Sequence, residues 1–239
     1  MKNILKSFFT MKKKDSLNGH EYVDLGLPSG LLWATCNVGS DTPEGYGDYF
    51  AWGETAPKDT YTRETYRYAA EGSSWQAPRL TKYCGNAEQA SADFTDILTA
   101  AVRKAIIPSF GNAGFSDTLT TLEASDDAAT SNWGAGWRMP TSIEMKELCD
   151  NCTQEWTTQN GVNGRKFTGP NGNSIFLPAA GAHDGTNLDI AGSYGLYWSS
   201  SLDTDYPDGA LFFNFHSGNC SVITGNRLAG LAVRPVCVR

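Results

Sequence analysis

Charge is scarce in this 239-residue chain: Lys, Arg, Asp and Glu together make up 19% of it, with a formal net charge of -7. A general nucleic-acid binder needs a basic stripe to displace phosphate counterions, so nucleic acid is excluded as a partner. No stretch approaches the roughly 18 consecutive apolar residues of a membrane-spanning helix, so no membrane span is expected. Histidine is nearly absent. His20, His183 and His216 are the only three, and none stands in an H-x-H or H-E-x-x-H spacing. No G-x-S-x-G occurs, and no glycine cluster ends in the Lys-Ser/Thr of a phosphate loop.

Six cysteines are sparse for this length and do not form a disulfide-dense framework. Cys149 and Cys152 make a C-x-x-C, but no second such pair or His pair completes a tetrahedral zinc set. The cysteines are therefore expected to be buried or incidental. The opening MKNILKSFFTMKKKD holds too short an apolar patch for a secretory signal, because Lys6 interrupts it. Residues 1–17 read as a leader or tail, with a short amphipathic anchor as the functional alternative.

What is abundant is glycine and aromatic bulk: 25 Gly, 7 Trp and 12% aromatics, with 40% hydrophobic residues. That composition gives a globular, turn-rich chain with a sizeable core. No repeat or linker divides it, so residues 18–239 read as one domain. Residues 20–53 read as short strands joined by turns, and residues 54–92 as a long surface excursion carrying Tyr61, Tyr66, Tyr68, Trp75 and Tyr83.

Phe94 to Ile107 has a helical apolar face stopped by Pro108. A firmer helix starts at Thr141, which with Glu144 makes a capping box, and a shorter one spans Asp126 to Asn132. Beyond residue 160 only strands and turns are expected. Asn163-Gly164 and Asn171-Gly172 are the turn signals, and Leu196–Ser201, Ala210–Phe215 and Gly230–Val238 the apolar segments. Trp52 and Arg138 read as framework. The class is α+β, with two short-to-medium helices around small antiparallel sheets.

In order, EYVDLGLPSGLLWATCNVG (21–39), GDYFAWGET (47–55), the DDAA, NWG and WRMPT groups of 126–148, NGNSIFLPAAG (171–181), GLYWSSS (195–201) and R..G..VRPV (227–236) resemble the Fibrobacter succinogenes major paralogous domain. The resemblance covers roughly residues 18–239. It implies a C-type lectin fold of the formylglycine-generating-enzyme type, shared with the variable proteins of diversity-generating retroelements. It also implies a cell-surface or phage location, and a C-terminal variable segment at about 203–231 that binds an unknown protein or glycan.

Strand alternation supplies a physical test of that implication. Phe213 and Phe215 fall on one face with Val233 as scaffold, while Phe212, Asn214 and His216 fall on the other. The candidate ligand-binding residues are Asp205, Tyr206, Asp208, Leu211, Phe212, Asn214, His216, Gly218, Asn219, Ser221, Ile223, Thr224, Leu228, Ala229 and Leu231. For Leu211, Leu228 and Leu231 core and display both stay open. Lys, Glu, Gln, Met and Trp, the types that adenine mutagenesis of an Asn codon cannot reach, are absent after Trp198. They are also absent from Phe167 to Tyr197, so the pattern separates little.

Two other readings stand beside this one. Asp203 to Gly209 is acidic, but Pro207 and Asn214 stand where an EF-hand needs ligands, and no Glu-Pro-Asn, Gln-Pro-Asp or Trp-Asn-Asp occurs. The alternative is an invariant lectin-like surface or phage protein that binds glycan, with or without calcium. For an oxidase of the formylglycine-generating type, Cys220 and His216 would be about 13 Å apart along one strand, beyond hydrogen-bond reach. The expectation is a noncatalytic chain with no cofactor, metal or catalytic residue assigned.

Overall fold

The computed structural model describes residues 15–74, 79–84 and 117–238. The helix expected over Phe94–Ile107, Trp75 and the first fourteen residues lie outside these. Strands dominate and helices are few, which makes the fold mixed α+β. In chain order the strands begin with β1 (Ser16–Leu17), β2 (His20–Asp24), β3 (Leu32–Ala34) and β4 (Trp137–Arg138). β5 (Thr153–Gln159), β6 (Val162–Thr168), β7 (Ser174–Pro178), β8 (Ala182–Asp184) and β9 (Asn187–Asp189) follow. β10 (Gly195–Leu202), β11 (Gly209–Phe215), β12 (Cys220–Asn226) and β13 (Val236–Cys237) complete the set. Among the described residues the α-helices are α1 (Ala128–Trp133) and α2 (Ser142–Asn151).

A five-stranded sheet in the order β1-β2-β3-β13-β4 joins the two ends of the described chain. Three-stranded sheets β5-β6-β7 and β10-β11-β12 and the hairpin β8-β9 complete the framework. Ser16 and Leu17 pair with Glu21 and His20, so strand pairing reaches into the stretch expected to be leader.

The expected capping box forms. The Thr141 hydroxyl accepts from the Glu144 N–H while the Glu144 carboxylate accepts from the Thr141 N–H, and α2 starts there. Arg138 grips the same carboxylate with two N–H groups at 2.6 and 2.7 Å, so its framework role holds. α1 begins at Ala128, two residues later than expected, because Asp127 caps it through the Thr130 N–H at 2.9 Å and Ala124–Asp126 forms a 3-10 turn.

Three expectations need correction. The turn before β6 is Asn160-Gly161, both at positive φ, and not Asn163-Gly164. Gly164 lies within β6 because a Cβ there would meet the Leu177 carbonyl at 2.4 Å and the Phe176 ring at 2.5 Å. The excursion after residue 54 is not superficial either: Tyr61, Tyr66, Tyr68 and Tyr83 are buried. Their hydroxyls donate to the carbonyls of Tyr49, Trp52 and Gly53 and to the Asp126 carboxylate. Finally, 230–238 is a chain of single bridges at Gly230, Leu231 and Ala232 leading to the short β13.

Two fully buried arginines knit these segments together. Arg234 donates to Asn37 Oδ1 at 2.8 Å and to the carbonyls of Ala34, Thr35 and Phe176. Arg227 donates to the Tyr66 hydroxyl and to the carbonyls of Tyr83, Pro207 and Lys82, with its guanidinium 4.7 Å from the Trp52 ring centre. Trp52 is itself buried, its indole donating to the Ser199 carbonyl at 2.8 Å, in keeping with a framework role.

Replacing Arg234 by Met strands three carbonyls and should lower unfolding free energy by about 3–5 kcal/mol. Lys, a single point donor, should restore little of it. Urea denaturation reads both. For acid stability, burial works against charge on Glu144, but Arg138 and the Thr141 N–H overcome it and hold its carboxyl below the ordinary 4.5. Its folded pKa being depressed, its contribution is complete above 4.5 and is lost as pH falls through the lower folded value. Denaturation midpoints from pH 6 downward should fall less steeply in Glu144→Gln than in the parent chain.

Candidate ligand-binding surface

β11 lies between β10 and β12 in an antiparallel register that pairs Phe213 with Tyr197 and Val222, and Phe212 with Trp198 and Ile223. Successive side chains therefore point to opposite faces. On the inner face Phe213 and Phe215 pack on Phe167 at ring distances of 5.7 and 6.0 Å. Cys220, on that same face, is joined to Cys149 of α2 in a disulfide with Cα atoms 6.3 Å apart. This corrects the reading of the cysteines as buried or incidental. Cys149 takes its partner from 71 residues away, while Cys152, its C-x-x-C neighbour, is free and buried.

The outer face carries the rows Trp198–Phe212–Ile223 and Leu196–Asn214–Ser221. Only part of it meets solvent. Phe212 is buried, edge-on to Trp198 with ring centres 5.7 Å apart, and lies over Gly225, where a Cβ would fall 2.6 Å from its ring. That end of the sheet is roofed by the backbone of Phe50 and Ala229, whose carbonyls both accept from the Trp198 indole. Phe212 is therefore core and not display. Leu231 is also core, in an antiparallel bridge with Phe50. Leu228 and Ala229 are half-buried and packed against the core, and half-buried Leu211 has the inward parity of Phe213.

The remaining candidates fall into two groups, which meet at the consecutive residues Ile223 and Thr224 on opposite faces of β12. At one end, Asn214 and Ser221 sit opposite each other, half-buried. Ile223 is 42% exposed, and Gly218 and Asn219 form the open turn. His216 closes the group, its Nδ1 accepting the Gly218 N–H at 3.1 Å and its ring 5.2 Å from Tyr194. At the other end lie Asp205, Tyr206 and Asp208, with Thr224 exposed nearby. Buried Asp203 organises this loop by accepting the Asp205 and Tyr206 N–H groups at 3.0 and 3.2 Å. The Asp208 carboxyl is raised, chiefly by burial. Among the described residues no three His, Cys, Asp or Glu side chains converge on a common point.

No sequence signal marks a further set of exposed groups. Leu188, Ile190 and Tyr194 are 42, 48 and 37% exposed. Ile190 adopts φ +52°, which a β-branched side chain rarely tolerates. The turn is fixed because Gly192 donates to the Ala179 carbonyl at 2.7 Å and Asn163 donates to the Gly192 carbonyl at 3.0 Å. Gly181 presses so closely that a Cβ would lie 2.2 Å from the Asp189 carbonyl. Tyr194 then links this turn to His216, making one continuous rim.

Stability separates the two classes of outer-face residue. Phe212→Ala should cost about 3–5 kcal/mol by opening a cavity beneath Trp198. Ile223→Ala and Asn219→Ala should each stay within about 0.5 kcal/mol. Urea denaturation of the three variants checks this. Comparison of the chain with protein-family models, with curated proteins and with solved structures finds no match in any of the three.

Proposed function

We propose that this chain is a noncatalytic ligand-binding protein of C-type lectin-like fold. Its reader is the rim formed by Asn214, His216, Asn219, Ser221 and Ile223 together with Tyr194, Ile190 and Leu188. The observation that carries this reading is the two-sidedness of β11 and β12: aromatic anchors on the inner face keep the strands in place while outer-face side chains at one end are left to solvent. A surface held from behind tolerates replacement of what it presents, since exposed changes seldom disturb stability by more than about 0.5 kcal/mol.

The rim mixes aliphatic, aromatic and amide groups, as protein and glycan contacts do. No Lys or Arg occurs between Lys166 and Arg227, and Asp184 and Asp189 are exposed on the β8-β9 hairpin. A polyanionic ligand is thereby disfavoured. For the oxidase alternative, Cys220 is engaged in a disulfide and offers no thiol to His216. For the calcium-dependent glycan alternative, Asp203 already spends an oxygen on two backbone N–H groups.

The test is in sequence variation and in binding. Copies of this gene should differ at codons for Asn214, His216, Asn219, Ser221 and Ile223, at adenines of a nearby template repeat, and should keep Phe212, Phe213, Phe215 and Leu231. Copies differing equally at Phe213 and Ser221, or no repeat at all, would count against diversification. Screening on a glycan array and a protein array should give signals that Ile223→Asp and Tyr194→Asp each reduce at least tenfold. Loss of glycan signal in chelator would move the assignment to the calcium-dependent alternative.

A further inference from the structure

We propose that the Cys149–Cys220 bond is a redox latch on the display sheet: oxidised, it holds edge strand β12 against α2, and reduced, it lets that strand fray. Little else holds β12. The strand pairs with β11 alone, and within it only Cys220 and Val222 are hydrophobic groups packed on the core. Ile223 and Thr224 face solvent. The latch sits at the first residue of the strand, where its pairing partner is Phe215, at the mouth of the exposed 216–219 turn.

A second tie limits what reduction can undo. Arg165 donates to the His216 carbonyl and, at 2.7 Å, to Gln154 Oε1, while Gln154 Nε2 donates to the Cys149 carbonyl at 2.5 Å. Opening the disulfide leaves this network standing, so the response is a loosened strand and not a global collapse. The same placement makes the bond reachable, because Cys149 and Cys220 are both half-buried. Cys84, Cys152 and Cys237 are buried, and burial pushes their thiols up to about 11, leaving little thiolate for exchange.

In chemical terms, two thiols lose two protons and two electrons to a disulfide-carrying oxidant, which becomes a dithiol. A small thiol in excess reverses this, two molecules of it being oxidised to one disulfide. The ordered form of the rim thus belongs to an oxidising compartment, whatever ligand the rim takes.

The experiment uses the full chain. Treated with oxidised glutathione, denatured and alkylated, it should carry four alkyl groups and yield one linked peptide pair containing Cys149 and Cys220. Mild reductant under native conditions should raise the count to six and speed amide exchange over 216–226 at least tenfold, with β5–β7 unchanged. The melting temperature should fall by roughly 10 °C. Cys220→Ser should match the reduced chain, and if it fails to fold, reduction of the folded parent still decides. Six alkylatable thiols after oxidation, a Cys149–Cys152 link, or unchanged exchange over 220–226 on reduction would overturn the latch.

Discussion

Everything at the carboxyl end depends on buried guanidinium groups that bind backbone and no carboxylate. Arg227 and Arg234 have no ion-pair partner among the described residues, yet each fixes several carbonyls from segments far apart in sequence. A desolvated cation is expensive. It is tolerated here because the planar fork spreads its donors over acceptors that would otherwise be stranded themselves. Irregular chain needs such a device: Thr35, Lys82, Tyr83 and Pro207 lie outside the strands, and the arginines serve where a sheet partner would.

That arrangement explains why so loop-rich a molecule can carry a stiff surface. Arg227 ties the tyrosine-rich excursion to the segment just after β12, and its cation lies over Trp52 as well as near Tyr66, Tyr68 and Tyr83. Trp52 in turn donates to the backbone of β10. The display sheet is therefore braced through β10 from behind, while β12 on the opposite edge depends on α2 and its cystine. Tyr194 leads into β10 while Ser221 and Ile223 lie on β12, so the rim spans both edges of this sheet.

Much of this was legible in the residues. The capping box of α2, the framework roles of Trp52 and Arg138, the inward Phe213 and Phe215, and the mixed class all follow from local chemistry or strand parity. Phe212 shows where parity stops. Period two assigns a side chain to a face, but whether that face is open depends on what another part of the chain lays over it, here Phe50 and Ala229. The Asn171-Gly172 signal held, as the turn between β6 and β7, and the Asn163-Gly164 signal failed for a related reason. Gly164 is required by the approach of Phe176 and Leu177, a contact between strands, and a glycine needed for space cannot be told from one needed for a turn by its neighbours in sequence. Nor could the tyrosines of the excursion declare their burial, since turns impose no period.

Ile190 and Cys220 extend the point to the site itself. A left-handed Ile has no sequence signature, because the strain is imposed by Gly181, Gly192 and Asn163 gathering around it. Cys220 looked unremarkable because its partner belongs to what reads as a local C-x-x-C. Both cases put the decisive constraint in a residue distant along the chain, Ile190 on the rim and Cys220 on the inner face behind it. At the rim the backbone is held in place by contacts behind it, which frees the exposed side chains from any part in folding. A surface built this way can change its chemistry without renegotiating its structure, provided β12 stays in register, and that condition falls on the cystine and on Arg165.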